Sequence, residues 1–340
     1  MPSTKYKIID SHVHLFAKEN LKLLKWDETH PLHSDYRLDE YLKYSVCERF
    51  QIEGLVFIET DPIADLSKGL EGCEYPIQEY LYVARNVTGN LHPGEGEASE
   101  LKQKFIKAIV PWAPMPLGKS LLRAYVEILK NRSLVVEFNL VKGFRYLLQD
   151  KPPNTMLQKD FVQSLKWLDE NNFIFDWGID LRCGGLWQFE ETIDVLKQVP
   201  NLKYIINHLT KPNLAVHPTE VEENDEFLQW KDYMKQIYTN SPNSYMKLSG
   251  GFSEMPLEII KNKDKCVEYI YPWFKVCFDL WNVDRTIWAS NWPVCSLTGG
   301  ENLTSNWFEI TEMLFDKIEL DEESRKKIYS TNYLKAYNLN

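Results

Sequence analysis

The fold is decided by the stretch Ile8-Ile9-Asp10-Ser11-His12-Val13-His14, which begins as an apolar strand and ends in polar residues. Side chains alternate along a β-strand, so His12 and His14 are predicted to emerge on the same side. Two imidazoles placed in this way can bind one metal ion or one substrate carbonyl. The competing explanation is that two histidines fall at this spacing by chance. The small number of histidines in the chain, seven in all, makes such a coincidence less common.

Beyond this stretch, short apolar runs alternate with amphipathic helical stretches. The predicted strands are Tyr6–Ile9, Gly54–Ile58, Ile106–Val110, Leu140–Phe144, Phe173–Gly178, Tyr204–Ile206, Tyr245–Leu248 and Thr286–Ala289. The predicted helices are Leu38–Phe50, Ile77–Asn86, Leu121–Asn131, Asp160–Asn171, Trp187–Val199, Phe227–Tyr238, Leu257–Trp281 and Trp307–Lys317. Strands that alternate with helices indicate parallel βαβ units, in a closed barrel or a large open sheet.

No GxGxxG or GxxxxGK[ST] motif follows the first strand, which disfavours the nucleotide-binding open sheet. We therefore predict an α/β fold of the (β/α)₈ TIM-barrel type, with residues 1–340 as a single domain. The glycine- and proline-containing stretch Val87–Glu100 is predicted to be a long loop. The tail Leu320–Leu339 is predicted to be a closing helix packed on the outside of the barrel.

Composition narrows the class of partner. The formal net charge is −10, and the basic face that phosphate binding requires is absent from the pattern, which argues against nucleic acid. No apolar run approaches the ~18 residues of a membrane helix, and no leader sequence is recognisable, so no membrane association is predicted. The six cysteines are scattered without CxxC spacing, which is typical of reduced thiols in a cytoplasmic protein. A homo-oligomer is left open.

Further motifs follow the predicted strands in order. They are Lys142-Gly143-Phe144-Arg145, Asn207-His208-Leu209-Thr210-Lys211-Pro212, Lys247-Leu248-Ser249-Gly250 and Ala289-Ser290-Asn291-Trp292-Pro293-Val294. Together with His12-Val13-His14 they resemble the amidohydrolase superfamily, in its amidohydrolase-2 branch, and within that branch the sugar-acid lactonases. The resemblance spans essentially the whole chain. It implies hydrolysis of a cyclic ester, an L-rhamnono- or L-fucono-lactone, to the open aldonic acid, with the rhamnono-lactone favoured.

Two positions depart from the pattern that the resemblance implies. In the family, an aspartate after the eighth strand activates water, whereas this chain has Asn291. An amide cannot accept a proton at neutral pH, so Asn291 can orient water or substrate but cannot be the general base. At the sixth strand, Asn207 replaces the usual aspartate. Glu59 and Asp180, which follow the second and fifth strands, are the alternative carboxylates, and rim salt bridges are the competing explanation for both.

If a divalent metal is bound, the predicted ligands are His12, His14, His208 and one of Glu59 and Asp180. Such a mixed nitrogen and oxygen site suits Zn²⁺ or Mn²⁺, which would polarise the lactone carbonyl and acidify a bound water. Family members differ in whether they need a metal, and the sequence slightly favours one. No organic cofactor is predicted.

The remaining candidates would contact the substrate. Arg145, Lys211 and Lys247 follow predicted strands and could offset the oxyanion that develops during ester hydrolysis. Trp26 and Trp292 are predicted at the loop mouths, where an aromatic face suits the C–H face of a sugar ring. We therefore predict His12, His14, Arg145, His208 and Asn291 as catalytic residues, and Lys211, Lys247, Trp26 and Trp292 as substrate-binding residues.

Two other functions compete with the lactonase. The first is a metal-dependent decarboxylase of the related barrel branch, which the resemblance ties to a strand-eight aspartate and a strand-five histidine. This chain has Asn291 and no histidine after the fifth strand. The second is an inactive barrel with a binding role, which the two asparagine replacements favour and the retained histidines disfavour.

Overall fold

Eight parallel strands form the centre of the molecule in the computed structural model, which describes residues 5–44, 47–299 and 303–339. They are β1 (Tyr6–Val13), β2 (Phe50–Ile58), β3 (Ile106–Val110), β4 (Gly143–Arg145), β5 (Ile174–Trp177), β6 (Tyr204–Ile206), β7 (Tyr245–Leu248) and β8 (Thr286–Trp288). Strands β1 to β3 pair in sequence order, as do β4 to β8. Parallel bridges from Ile109 to Val141 and from Val13 to Trp292 close the ring, which confirms the predicted barrel.

Helices connect the strands. They are α1 (Leu38–Tyr44), α2 (Glu74–Thr88), α3 (Glu100–Gln103), α4 (Gly118–Arg132), α5 (Val135–Phe138), α6 (Lys159–Glu170), α7 (Leu181–Gly184), α8 (Trp187–Gln198), α9 (Asp225–Asn240), α10 (Leu257–Ile260), α11 (Lys263–Arg285), α12 (Ser296–Gly299), α13 (Leu303–Lys317), α14 (Glu322–Lys326) and α15 (Asn332–Ala336). A π-helical turn, Lys327–Thr331, joins α14 to α15. Over the described ranges, none of these helices has the length and apolar character needed to cross a bilayer.

Two predicted helices differ from those in the structure. The predicted helix Leu38–Phe50 ends at Tyr44, because Phe50 begins β2 and pairs with Tyr6 of β1. The predicted helix Leu257–Trp281 is two helices, since Asn262 caps α11 by accepting a hydrogen bond from the backbone N–H of Lys265. A capping side chain marks a helix start that an apolar period alone does not reveal.

Small residues set the approach of neighbouring strands. Gly143 begins β4, and a Cβ atom there would lie 2.2 Å from the carbonyl oxygen of Ile174 in β5. Glycine is therefore required for β4 and β5 to pair at this point.

The inside of the barrel is filled by apolar side chains from the strands and from the end of α15. This interior cluster comprises Val56, Ile58, Ala108, Val110, Ile174, Ile205, Tyr245, Ile287, Ala336 and Tyr337. The Tyr337 hydroxyl donates to the Ser11 carbonyl oxygen of β1 at 3.1 Å. The predicted tail helix is therefore present, but its placement wholly outside the barrel was wrong, because Ala336 and Tyr337 are buried in the interior.

Candidate active site

A cavity of about 210 Å³ opens where the strands end. Its polar lining residues are His14, His30, Thr60, Asp61, Arg145, Gln149, Asn207, His208, Lys211 and Asn291. Its apolar lining residues are Trp26, Leu32, Leu147, Gly178, Ile179, Val294 and Leu297. The carboxyl ends of the strands are where barrel enzymes carry their active sites, so this cavity is the candidate active site.

The two histidines of the opening motif face each other, as their alternation predicts. His12 Nε2 and His14 Nε2 are 3.2 Å apart, and both rings are buried. His14 Nδ1 lies 3.0 Å from the carbonyl oxygen of Ile58, the last residue of β2. The strand-one pair is therefore held from one side by the neighbouring strand.

A buried ion pair holds the other side of the histidine pair. Lys247, from β7, places its Nζ atom 3.0 Å from His12 Nδ1 and 2.6 Å from Asp176 Oδ2. Both Lys247 and Asp176 have fully buried side chains. The amide of Asn207 donates to the other carboxylate oxygen of Asp176. Lys247 thus lies behind His12 instead of lining the cavity, which corrects its prediction as a substrate-binding residue.

Arg145 lies at the end of β4 and lines the cavity. Its Nε atom donates to Glu59 Oε1 at 2.6 Å, and its Nη2 atom donates to the Glu59 carbonyl oxygen at 2.8 Å. A guanidinium has five N–H donors, so two bonds to Glu59 leave donors for a substrate. Glu59 is fully buried and orients Arg145, and it is not among the cavity-lining residues.

The turn after β6 has an uncommon backbone. His208, Leu209, Thr210 and Lys211 all have positive φ, with values of 53°, 50°, 64° and 50°. A left-handed residue other than glycine costs roughly 1–2 kcal/mol, so the surrounding contacts must stabilise this turn. Thr210 supplies one such contact, because its hydroxyl accepts a hydrogen bond from Trp230 Nε1 at 2.8 Å. The turn delivers both His208 and Lys211 to the cavity.

His208 is fixed within reach of the strand-one pair. Its Nδ1 atom is 2.6 Å from the hydroxyl of Ser249, which follows β7. Its ring centroid is 4.5 Å from that of His12. Lys211 extends from the same turn and pairs with Asp180 across 3.5 Å. Asp180 also caps α7 by accepting from the Cys183 backbone N–H, so it serves the rim rather than the histidines.

The strand-eight motif divides between the cavity and the core. Asn291 lines the cavity, also with a positive φ of 62°. Trp292 is buried, and its ring packs edge-on against Tyr36 and Tyr41 at centroid distances of 5.4 and 5.3 Å. Trp292 is not among the residues that line the cavity, because aromatic packing holds its ring against Tyr36 and Tyr41, and its contact with substrate stays a prediction.

Trp26 has a different environment from Trp292. It lines the cavity, and its ring stacks on that of His30 at a centroid distance of 4.7 Å and an angle of 10°. An aromatic ring at the mouth can cover the apolar face of a sugar, as the sequence predicts.

Burial decides the protonation states of the site. It lowers the pKa of His14 to about 3, with a further contribution from the Arg145 charge. Burial and neighbouring cations also hold the pKa values of His12 and His208 well below the ordinary value. Burial lowers the pKa of Lys247 to about 8 although Asp176 opposes the change. At neutral pH the site therefore contains three neutral imidazoles beside a predominantly charged ammonium.

The structure places His14, Arg145, His208, Lys211, Asn291 and Trp26 in the cavity lining, with His12 in contact with His14, and it leaves Trp292, Glu59, Asp180 and Lys247 outside that lining. Sequence reasoning missed Asp61, Asp176 and Gln149 as site residues. Asp176 could have been found by alternation with the interior Ile174. Asp61 and Gln149 lie on loops after strands. A loop has no regular alternation of side chains, so the sequence does not indicate which of its residues faces the cavity.

The predicted metal site of His12, His14, His208 and one of Glu59 and Asp180 is not assembled among the described residues. Throughout residues 5–44, 47–299 and 303–339, no group of three or more His, Cys, Asp or Glu side chains is arranged to hold a metal ion. Glu59 is bonded to Arg145, and Asp180 is engaged by Lys211 and by the start of α7.

Similarity to known proteins was found at two levels. Residues 91–339 match the family described as amidohydrolase. The chain is 54% identical to an L-rhamnono-gamma-lactonase of Scheffersomyces stipitis over 336 residues, which covers 99% of this chain and 100% of that protein.

Solved structures share the fold at low sequence identity. An amidohydrolase from Burkholderia multivorans with bound zinc has a TM-score of 0.70 at 18% identity, covering 98% of this chain and 99% of that one. A dihydroxybenzoic acid decarboxylase from Polaromonas sp. JS666 with bound manganese has a TM-score of 0.55 at 13% identity, covering 99% of this chain and 98% of that one. Some proteins of this fold therefore bind zinc or manganese.

Proposed function

We propose that this chain, which belongs to the amidohydrolase family, is a lactonase that hydrolyses L-rhamnono-1,4-lactone to the open aldonic acid. The observation that carries the proposal is its 54% identity over essentially the full length to an L-rhamnono-gamma-lactonase. The cavity supports it, because cationic donors, imidazoles and a carboxylate line one space large enough for a small sugar derivative. We place the reaction in the cytosol, as the scattered cysteines predict.

The cationic residues bind the developing oxyanion. Water attacks the lactone carbonyl carbon, and the carbonyl oxygen becomes negative in the tetrahedral intermediate. Arg145 and Lys211 both line the cavity, and each is oriented by a carboxylate that lies outside the lining set, Glu59 and Asp180. Preorganised cations in a partly enclosed site stabilise such a charge without reorganising during the reaction.

Asp61 accepts the proton of the attacking water. Among the described residues lining the cavity, it is the one carboxylate. Its backbone has a positive φ of 57°, and its N–H is held by Glu59 Oε2 at 2.6 Å. The histidines are poor alternatives, because a proton on His14 or His208 would be added to a buried group beside cations. The protonated Asp61 then returns the proton to the ring oxygen when the ester C–O bond breaks.

The donor set does not fit a catalytic divalent metal. Three imidazoles, those of His12, His14 and His208, lie close together. The buried carboxylates around them are paired one to one with cations, as Glu59–Arg145, Asp176–Lys247 and Asp180–Lys211. A divalent ion would add two charges, and Asp61, itself paired with Lys25, is the one carboxylate that lines the cavity among the described residues. No step of the proposed mechanism passes through a metal.

Acid release from L-rhamnono-1,4-lactone, followed with a pH indicator, tests the proposal. Turnover is expected for the purified chain, with loss in Arg145→Met and retention in Lys235→Met, which alters an exposed residue on the outer helix α9. Absence of turnover on L-rhamnono-, L-fucono- and L-mannono-lactones, with and without added Zn²⁺ or Mn²⁺, would overturn it.

The decarboxylase is not favoured. The likeness to the dihydroxybenzoic acid decarboxylase is one of fold, at 13% identity. The residue after β8 is Asn291, and the segment after β5 that lines the cavity contributes Gly178 and Ile179, which have no acid–base side chain.

A further inference from the structure

The hydrogen bonds around His14 determine where its proton is. The partner of His14 Nδ1 is the Ile58 carbonyl oxygen at 3.0 Å, and a carbonyl can only accept. His14 Nδ1 therefore carries the hydrogen. A neutral imidazole carries one, so His14 Nε2 is an acceptor, and the contact of 3.2 Å with His12 Nε2 requires His12 to donate.

The other side of His12 fits the same assignment. If His12 Nε2 carries the hydrogen, His12 Nδ1 must accept, and its partner is the Lys247 ammonium at 3.0 Å, which can only donate. Lys247 is held in this charged form by Asp176 at 2.6 Å, and the Asn207 amide donates to the same carboxylate. In the chain of hydrogen bonds that runs from Asp176 through Lys247, His12 and His14 to the Ile58 carbonyl, each donor then faces an acceptor.

This arrangement differs from that of a metal-ligating histidine pair. A ligating imidazole presents an unprotonated nitrogen to the metal and gives its other N–H to a carbonyl, a carboxylate or water. His14 meets both conditions through Ile58. His12 does not, because ligation through Nε2 would point its Nδ1–H at the Lys247 ammonium, which has no lone pair to accept it.

We propose that Lys247 is a positioning residue that fixes His12 and His14 in opposite tautomers, so that the pair acts as a neutral hydrogen-bonding unit and the site works without a divalent metal. This inference rests on the proposed lactonase for its kinetic readout, but its tautomers and metal content can be measured without any substrate. His14 lines the cavity, so the fixed pair forms an uncharged part of the cavity wall. The charge on Lys247, rather than its bulk, is the feature that selects the tautomers.

The first experiment uses the unaltered chain. Nitrogen-15 correlation spectra of the histidine rings, assigned with His12→Gln and His14→Gln, should show His12 protonated at Nε2 and His14 protonated at Nδ1. Protein purified in the presence of Zn²⁺ and then desalted should contain far less than one zinc per chain by mass spectrometry. Prolonged chelation should change kcat by less than twofold.

The second experiment changes the charge on Lys247. In Lys247→Gln the amide oxygen can accept a hydrogen bond, so His12 is free to move its proton to Nδ1 and expose Nε2. Zinc retention should rise towards one per chain, and kcat should fall by about 100-fold while KM changes little. Lys235→Gln, on the outer surface, is the matched control and should alter neither quantity. Circular dichroism and thermal melting establish that each variant is folded.

The outcomes separate the two proposals. Stoichiometric zinc in the unaltered chain, chelator-sensitive turnover, or the same tautomer at His12 and His14 would overturn this inference and leave the lactonase standing. Lack of turnover on every lactone would overturn the proposed function, and the tautomer spectra and zinc content would still decide the inference. Should Lys247→Gln fail to fold, Lys247→Met and the measurements on the unaltered chain decide it.

Discussion

The interior of the barrel and the carboxyl ends of its strands are built on opposite principles. Inside the barrel, the interior cluster is apolar and buried, and Tyr337 enters it from the end of α15. At the carboxyl ends, the strands and the turns after them carry two buried ion pairs, Glu59–Arg145 and Asp176–Lys247, and left-handed backbone at Asp61, Lys211 and Asn291. The interior contributes free energy of folding, whereas the carboxyl ends hold charges and strained backbone that folding must accommodate. Stability and activity should therefore respond to different substitutions.

The largest effect is expected at the carboxyl end. Asp61→Asn removes the proposed proton acceptor and should lower kcat by about 10²–10⁴-fold. The thermal midpoint should move little, because Asp61 pairs with Lys25 near the surface, where an ion pair contributes little to stability. Steady-state kinetics and a melting curve on the same preparation provide the measurement. Near-normal kcat would show that another group accepts the proton.

The opposite response is expected in the interior cluster. Tyr337→Ala removes a fully buried ring from the interior cluster and should lower the free energy of unfolding by about 3–5 kcal/mol. The fraction that stays folded should retain kcat within a few-fold, as measured after correcting for the folded population. A loss of kcat comparable to that of Asp61→Asn would show that the two regions are not separable.

Acid should destabilise the carboxyl end. The pKa of His14 is lowered from its ordinary value to about 3, and those of His12 and His208 are lowered in the same direction. The unfolded chain therefore binds more protons below pH ~6.5, and stability should fall by up to about 1.4 kcal/mol per pH unit for each of these imidazoles. The folded state keeps its full stability above pH ~6.5, where these imidazoles are neutral in both states, and loses it progressively as the pH falls towards 3.

Denaturant titrations between pH 7 and pH 5 measure this slope. His14→Gln should reduce the slope by the contribution of one proton, about 1.4 kcal/mol per pH unit. His217→Gln, which changes an exposed histidine on a loop, should leave the slope unchanged. An unaltered slope in His14→Gln would contradict the buried neutral imidazole.

The smallest effect concerns a single hydrogen bond. Tyr337→Phe keeps the ring in the interior cluster and removes the bond to the Ser11 carbonyl, 3.1 Å from the hydroxyl. The expected loss is about 1 kcal/mol in the free energy of unfolding. Ser11 precedes His12 in the chain. A fall in kcat that remains after correction for the folded fraction would therefore link the interior cluster to the histidine pair.

The sequence predicted what depends on period and order. Alternation placed His12 and His14 together, and motifs after successive strands placed Arg145, His208 and Asn291 around one opening. It could not predict the direction of Trp292, which depends on Tyr36 and Tyr41 more than 250 residues earlier in the chain. Nor could it predict that Lys247 contacts His12 and Asp176. Alternation gives the side of the strand on which a residue lies, but not how far along that side a long side chain finds its partner.

The ends of helices and strands could not be predicted accurately for a similar reason. Phe50 continues an amphipathic pattern, and pairing with Tyr6 converts it to strand. Tertiary pairing overrides local propensity at such positions. The insertion of Tyr337 had no local signal, since a tyrosine near the end of an amphipathic helix is equally suited to an outer surface.

That insertion also sets an order of events during synthesis. All eight strands are translated before Ala336 and Tyr337, so a nascent chain lacks these two residues of the barrel interior until α15 has been made. Because domains can begin to fold during translation, the open interior is an apolar surface that chaperones can recognise. Sealing the barrel therefore comes after the synthesis of all eight strands, as a late step in the folding of this molecule.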